Sequence, residues 1–197
     1  MQKITITEAA KFLKEGKIGI IPTDTLYGIV GQALNKAAVE RIYGVRKRNP
    51  DKPMIILISS LDDLGLFGVE IRIPGKNVEE ANFANHAIKQ LWPGKVSIIL
   101  PVKTEAAQEK LSYLHRGTNT LAFRLPDKKE LLDLLAQTGP LVAPSANLEG
   151  LPPAKTIKEA ENYFGDDVDF YVDGGKLDNS PSKLLKIEDG KIIELRK

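Results

Sequence analysis

Residues 18–58 read IGIIPTDTLYGIVGQALNKAAVERIYGVRKRNPDKPMIILI, and this stretch decides the fold. The apolar run Ile18–Ile21 predicts a short buried strand leading into a Pro22-Thr23-Asp24-Thr25 turn, after which Tyr27 to Val30 continues extended. Asn35 is placed to cap a helix whose apolar residues Ala38, Val39, Ile42, Tyr43 and Val45 recur at helical spacing. Arg46 falls in the last turn of that helix, where a cation complements the negative end of the dipole, and Pro50 and Pro53 prevent its continuation. Met54 to Ser59 is too uniformly apolar for a half-exposed strand and reads as a central one. Strand, polar turn, helix, cationic turn and strand predict a βαβ unit with polar groups gathered at its connections.

Outward from this unit the pattern alternates in the same way. Upstream, Thr7 caps a short helix over Glu8–Leu13 that Gly16 stops. Downstream, Leu61–Gly75 matches neither period, and Glu79–Leu91 is an amphipathic helix ended by Trp92-Pro93-Gly94. A strand follows at Val96–Val102, then a helix at Glu105–Leu111, a polar loop at Leu114–Asn119 and a strand at Thr120–Leu125. Asp127 caps a helix running through Leu135, and Gly139-Pro140 leads into a very short strand, Leu141–Ala143. Pro144-Ser145-Ala146-Asn147 and a Gly/Pro-rich loop, Gly150–Ala154, come next. Thr156 and Glu159 have capping-box spacing for a helix to about Phe164. Phe170–Val172 is a strand, and KLLKIEDGKIIEL is a hairpin turning at Asp189-Gly190. The fold class is α/β (α+β): a twisted, open, mixed sheet flanked by helices, in a single domain over 1–197.

Composition excludes several functions. The 28 Lys and Arg exceed the 26 Asp and Glu by only two, so no global field marks a dedicated nucleic-acid binder, and any anion site is local. With no cysteine there is no disulfide, thiolate zinc site or cysteine nucleophile. The N-terminus lacks an apolar core of the signal-peptide kind and no apolar run reaches membrane-spanning length, so the expectation is a cytoplasmic protein without membrane contact. P-loop, dinucleotide-binding and nucleophile-elbow motifs are absent, and His86 and His115 are too far apart for a paired-histidine metal site.

What remains is a set of turns bearing cations, hydroxyls and amides. Arg46, Arg48 and Lys52 lie within seven positions, opposed only by Asp51, and would hold a phosphate or carboxylate through charge-assisted hydrogen bonds. A solvated helix end is the alternative. Thr23, Asp24 and Thr25 offer hydroxyls and amides, or simply a turn. Arg124 ends an apolar strand and needs an anionic partner, either a substrate or a neighbour such as Asp127. Ser145 and Asn147 stand beyond a strand end, where open α/β sheets place ligands. No carboxylate pair or nucleophile–base couple stands out, so no residue is assigned as acid, base or nucleophile, and binding with electrostatic stabilisation is the expected work.

PTDTLYG, RKRNPDKPM, LWPG, TLAFRLPD, APSAN followed by L-E-G-x-P, and a late DGG with Pro181-Ser182 resemble, in order and spacing, the YrdC/TsaC family of L-threonylcarbamoyladenylate synthases. The resemblance spans nearly the whole chain and points to the short form without an added C-terminal domain. It implies a YrdC-like sheet around a basic cavity, and a nucleotidyl transfer in which ATP, bicarbonate and L-threonine give threonylcarbamoyl-AMP and pyrophosphate. That product would serve N6-threonylcarbamoyladenosine formation at position 37 of tRNA through a threonylcarbamoyl transferase complex. Carried over by motif, Thr25, Arg124, Ala143 and Ser182 would receive L-threonine. Arg46, Arg48, Lys52, Thr120, Ser145, Asn147 and Arg196 would face ATP. Mg2+ would accompany the nucleotide, with no metal held by the protein itself and no tightly bound organic cofactor. The chain departs from the family's usual residues at Arg46, Lys95, Val96, Pro153 and Lys183. Two other functions stay open at this stage: a double-stranded RNA or tRNA-binding module, and a carbamoyl-transfer enzyme of the hydrogenase-maturation type.

Overall fold

A computed structural model of the chain describes residues 2–70, 86–188 and 191–196. Among these residues, ten strands form one sheet: β1 (Lys3–Ile4), β2 (Gly19–Pro22), β3 (Tyr27–Gln32), β4 (Ile55–Leu57), β5 (Val96–Pro101), β6 (Thr120–Arg124), β7 (Leu141–Val142), β8 (Phe170–Val172), β9 (Lys183–Glu188) and β10 (Lys191–Arg196). Their spatial order is β1-β8-β2-β3-β7-β4-β6-β5-β9-β10. The helices are α1 (Ile6–Lys14), α2 (Lys36–Arg46), α3 (86–91), α4 (Glu105–Lys110), α5 (Ser112–His115), α6 (Lys129–Thr138) and α7 (Ile157–Phe164), with a 3-10 segment at Leu61–Phe67. No helix among the described residues is long and apolar enough to cross a membrane.

The predicted βαβ unit is present in altered form. β2 and β3 are an antiparallel hairpin, so the Pro-Thr-Asp-Thr segment is a hairpin turn and not a connection into the helix. The crossover is β3–α2–β4. Both of its strands run antiparallel to β7, which is inserted between them, so β3 and β4 are parallel but not adjacent. α2 starts where expected: the Asn35 side chain accepts from the Ala38 amide. It stops at Lys47 in the left-handed region, and its buried stripe of Ala38, Val39, Ile42 and Tyr43 lies on the sheet. Close approach is possible because β3 carries Gly31, where an added Cβ would stand 3.1–3.3 Å from Ile18, Ile42 and Ala38.

Strand alternation divides the core into two layers. Ile20, Ile29, Ile56, Val142, Ile98 and Phe123 face α2 and the 3-10 segment, while Ile21, Val30, Leu57 and Leu141 face the other way, onto Ala9, Ala10 and Leu13 of α1 and Leu131, Leu134 and Leu135 of α6. α1 and α6 thus pack against one half of that second face. Over β4, β6, β5, β9 and β10 the same face lines a cavity.

Several local expectations are corrected. The cap of α1 is Thr5, not Thr7. The box is Thr5-x-x-Glu8, in which Thr5 Oγ1 accepts from the Glu8 amide and Glu8 Oε2 accepts from the Thr5 amide. α6 starts after Lys128, which makes no side-chain cap, and runs on to Thr138 before Gly139 ends it at φ 75°. The start of the expected polar loop is helical, because Tyr113, Leu114 and His115 are buried. His115 Nε2 bonds the Gln108 carbonyl while Nδ1 accepts from the amides of Gly117 and Asn119. Of the expected Glu79–Leu91 helix, residues 86–91 are helical and the remainder lies outside the described residues, as do part of Leu61–Gly75 and the Asp189-Gly190 turn. β9 and β10 pair antiparallel as expected.

Candidate functional site

Register builds one wall of the cavity. Parallel pairing sets Ile55 beside Ala122 and Leu57 beside Arg124, antiparallel pairing sets Ile99 beside Ala122, and Arg196 on β10 lies opposite Leu184. These residues, with Thr120, share a face and line a cavity of about 360 Å³. The opposite wall is Thr23, Thr25, Tyr27 and Gly28 from the β2–β3 hairpin, and Ala143, Pro144 and Ser145 beyond β7. Arg48 with Pro53 and Met54, Thr118, and Pro181 with Ser182 complete the rim.

Two connections bring the hairpin and the β7 exit together. The Ile29 amide donates to Pro144 O at 3.0 Å and the Ala146 amide to Tyr27 O at 2.8 Å, while Gly28 and Ser145 form an antiparallel bridge. A Cβ at Gly28 would meet Thr23 Cγ2 at 3.3 Å, a tight contact within the hairpin, and Pro144 O at 3.5 Å, an ordinary one.

Arg124 is buried, and its partner is Asp24. Nη2 donates to Asp24 Oδ1, Nη1 donates to Thr25 Oγ1 at 3.1 Å, and both members of the ion pair have side chains only 5% exposed. Asp127, the neighbour weighed from sequence, is not the partner. Arg124 Nε and Asp24 Oδ2 are buried without a hydrogen-bond partner. Burial, and then the like charge of Arg196, push the Arg124 guanidinium down to about 10, still protonated at neutrality. Thr23 holds the turn: its Oγ1 donates to Leu26 O at 2.7 Å and accepts from the amides of Thr25 and Leu26.

Among the described residues, the other guanidiniums in the cavity donate no hydrogen bond to a carboxylate. Arg48 donates to the carbonyls of Lys52 (3.1 Å) and Pro53 (2.9 Å), and Arg196 donates to Ser182 O (3.0 and 2.8 Å) and Ser182 Oγ (3.2 Å). Neither forms an ion pair among the described residues. Desolvation, and then the neighbouring Arg48 charge, lower Arg196 from its ordinary value. Three guanidiniums around one concavity, two of them facing only neutral oxygens, make a local anion site of a kind the net charge of +2 does not disclose.

Of the residues expected at the site, Thr25, Arg48, Thr120, Arg124, Ala143, Ser145, Ser182 and Arg196 meet at this cavity. Arg46, Lys52 and Asn147 do not line it. Arg46 is 2% exposed and donates through Nε to Asn147 O (3.0 Å) and through Nη2 to Asn147 Oδ1 (3.1 Å), leaving Nη1 without a partner. Burial, then Arg48, lower it to about 10. Asn147 Oδ1 also accepts from Ser145 Oγ at 2.6 Å, so Arg46 and Asn147 fix Ser145 from behind. Lys52 is exposed and paired with Glu149 at 2.6 Å, and that same carboxylate accepts from the Asn49 amide.

Sequence reasoning missed Ser97, which is fully buried and hydrogen-bonded to Ser182 Oγ at 2.9 Å. A lone serine in the apolar run Val96–Val102 was the available signal. It also missed Thr118, whose Oγ1 lies 3.2 Å from Thr120 Oγ1, and did not pair Asp24 with Arg124. Among the described residues no group of three or more His, Asp or Glu is placed to hold a metal ion.

Residues 11–197 match the family model Sua5_yciO_yrdC, described as telomere recombination. Two curated relatives named threonylcarbamoyl-AMP synthase are similar: one from Pyrococcus abyssi, 35% identical over 170 residues, and one from Bacillus subtilis, 33% identical over 171. The alignments take in 85% and 86% of this chain and 46% of each relative, so the chain spans about half the length of these proteins. A crystal structure of P. abyssi Sua5 complexed with L-threonine superposes with a TM-score of 0.80 at 29% identity, covering 99% of this chain and 56% of that one.

Proposed function

The chain belongs to the Sua5/YciO/YrdC family, and from this premise we propose that it joins L-threonine, bicarbonate and ATP into threonylcarbamoyl-AMP with release of pyrophosphate. The observation that carries the reading is the charge arrangement of the cavity: a guanidinium locked beside a threonine hydroxyl, next to two guanidiniums that form no ion pair among the described residues. The relatives' name and the threonine bound by P. abyssi Sua5 support the same assignment.

In this reading Thr25, Arg124, Ser182 and the backbone of Ala143 receive the amino acid, and Arg48, Thr120, Ser145 and Arg196 receive the nucleotide. Arg46 and Asn147 act from behind by holding Ser145. Lys52 reaches a phosphate only by leaving Glu149, an exposed pair of the kind worth ~0–1 kcal/mol. The threonine amine is carboxylated to a carbamate, and a carbamate oxygen attacks the α-phosphorus as pyrophosphate departs. Two anions must approach each other, and the unneutralised guanidiniums offset that repulsion and stabilise the leaving group. Mg2+ would accompany the nucleotide on the ATP phosphates. The product would be consumed by a transferase acting on the N6 amine of adenosine 37 in tRNA, in the cytoplasm.

The test is pyrophosphate release measured with ATP, bicarbonate and threonine, each omitted in turn. Release requiring all three is expected. Release indifferent to threonine sinks the assignment.

A further inference from the structure

One contrast among the guanidiniums lining the cavity has no role in the reaction as proposed. Arg48 and Arg196 meet only carbonyl and hydroxyl oxygens, whereas Arg124 is held by the carboxylate of Asp24, a residue of the β2–β3 turn a hundred positions away in sequence. Asp24 itself is not part of the cavity lining, and its side chain is 95% buried behind Arg124. Pairing a buried arginine this way is expensive in desolvation and leaves Asp24 Oδ2 and Arg124 Nε unsatisfied. A fold that needed only a hydrogen-bond acceptor there could use a carbonyl, as it does for Arg48 and Arg196.

We propose that Asp24 is a specificity-determining residue: by cancelling the charge of Arg124 it makes that corner of the cavity suit an electrically neutral amino acid and unattractive to phosphate groups. The proposal rests on the reading of the cavity as an amino-acid and nucleotide site. A zwitterion needs donors for its carboxylate, which Arg124 and Thr25 present, but it gains nothing from surplus positive charge. A polyphosphate carries several negative charges, and its attraction follows the net local charge over several ångströms. With Asp24 in place, the surplus along the cavity lining is confined to Arg48 and Arg196. Without it, all three lining guanidiniums are without a hydrogen-bonded carboxylate among the described residues, and the product pyrophosphate or a misplaced nucleotide tail can occupy the amino-acid corner. Asp24 is a positioning residue as well, since it fixes the plane in which Arg124 meets Thr25.

The experiment is calorimetric binding of inorganic pyrophosphate and, separately, of L-threonine to the wild type, Asp24→Asn and Asp24→Glu. In the wild type, saturating pyrophosphate leaves threonine affinity unchanged. Asp24→Asn keeps the shape and removes the charge, so it binds pyrophosphate on the order of tenfold tighter, and pyrophosphate now competes with threonine. Asp24→Glu keeps the charge and displaces it, so threonine binding weakens while pyrophosphate affinity stays at the wild-type level. A purely structural role would lower the melting temperature and both affinities together. Pyrophosphate affinity unchanged in Asp24→Asn, or raised equally in Asp24→Glu, overturns the proposal. Displacement of threonine by pyrophosphate from the wild type also overturns it, and that measurement does not depend on the variants folding. The activity is read separately by threonine-dependent pyrophosphate release. If release fails while the binding contrast holds, the activity assignment falls and the charge compensation stands.

Discussion

Replacing Arg46 by alanine separates a cation that builds the site from one that touches the substrate. Arg46 is buried, and both of its hydrogen bonds go to Asn147, one to the backbone carbonyl and one to the side-chain oxygen that also receives Ser145 Oγ. Hydrogen bonds donated by a charged group are worth ~1.5–3 kcal/mol each. Against this stands the relief of a buried cation with one unpartnered N–H, which returns part of the desolvation cost. The balance is a loss of about 3 kcal/mol. For a chain of this size that corresponds to a fall of roughly 6–12 °C in melting temperature. Arg46→Lys keeps the charge but cannot reach both oxygens in a fork, so it falls between wild type and alanine. Thermal denaturation followed by circular dichroism gives the stability, and steady-state kinetics at a temperature where the variant is folded gives the apparent KM for ATP. The expected pattern is a large stability loss with an ATP KM raised by no more than a few-fold, through loosening of Ser145. A melting temperature within about 2 °C of wild type, together with an ATP KM raised tenfold or more, refutes the reasoning and places Arg46 on the nucleotide.

Arg48→Ala tests the opposite case. Arg48 bonds only two carbonyls of its own turn, so the melting temperature should barely move while the ATP KM rises on the order of tenfold; unchanged ATP kinetics count against its place at the phosphates. Asp178 is held at about 2, below its ordinary 3.8, by Lys155 and then Lys176. A carboxyl depressed in the folded state stabilises above its unfolded value and loses that contribution as pH falls through the folded value. The wild type should therefore exceed Asp178→Asn in melting temperature by a margin that is full above about pH 4, fades towards pH 2 and shrinks with added salt; a margin that grows on acidification is the contrary result. Gly19→Ala would put a Cβ 2.4–2.5 Å from three atoms of the Phe170 ring, so urea denaturation should register a loss of about 1–3 kcal/mol, and a neutral outcome would mean that β2 and β8 are not packed as described.

Much of this protein is legible along the chain because the information is local. Asn35 and Thr156 cap their helices by accepting from amides three residues on, and the apolar spacing of 38–43 sets the face that α2 buries. Proline and glycine mark the connections, and strand alternation marks two-faced strands. The ordered motifs pointed to the family, and eight of the residues they singled out meet at one cavity. Where the local reading slipped, as with Thr7 in place of Thr5, two threonines two positions apart offered nearly the same pattern, and only the spacing to Glu8 separated them.

The tertiary structure decided what each charge does. Arg46, Arg48 and Lys52 are nearly equivalent in sequence, yet one is buried against Asn147, one borders the cavity and one is tied to Glu149. Asp24 and Arg124, Ser97 and Ser182, and Arg46 and Asn147 are separated by 100, 85 and 101 positions. No period or cap joins such residues. They meet because β7 is inserted between β3 and β4 and because α1 and α6 pack against only half of one sheet face. The sequence by itself determined most of the elements and the family they compose. Only the packed sheet determined which guanidinium is neutralised and which are left for an anion, because pairing a charge depends on what lies within a few ångströms of it in space.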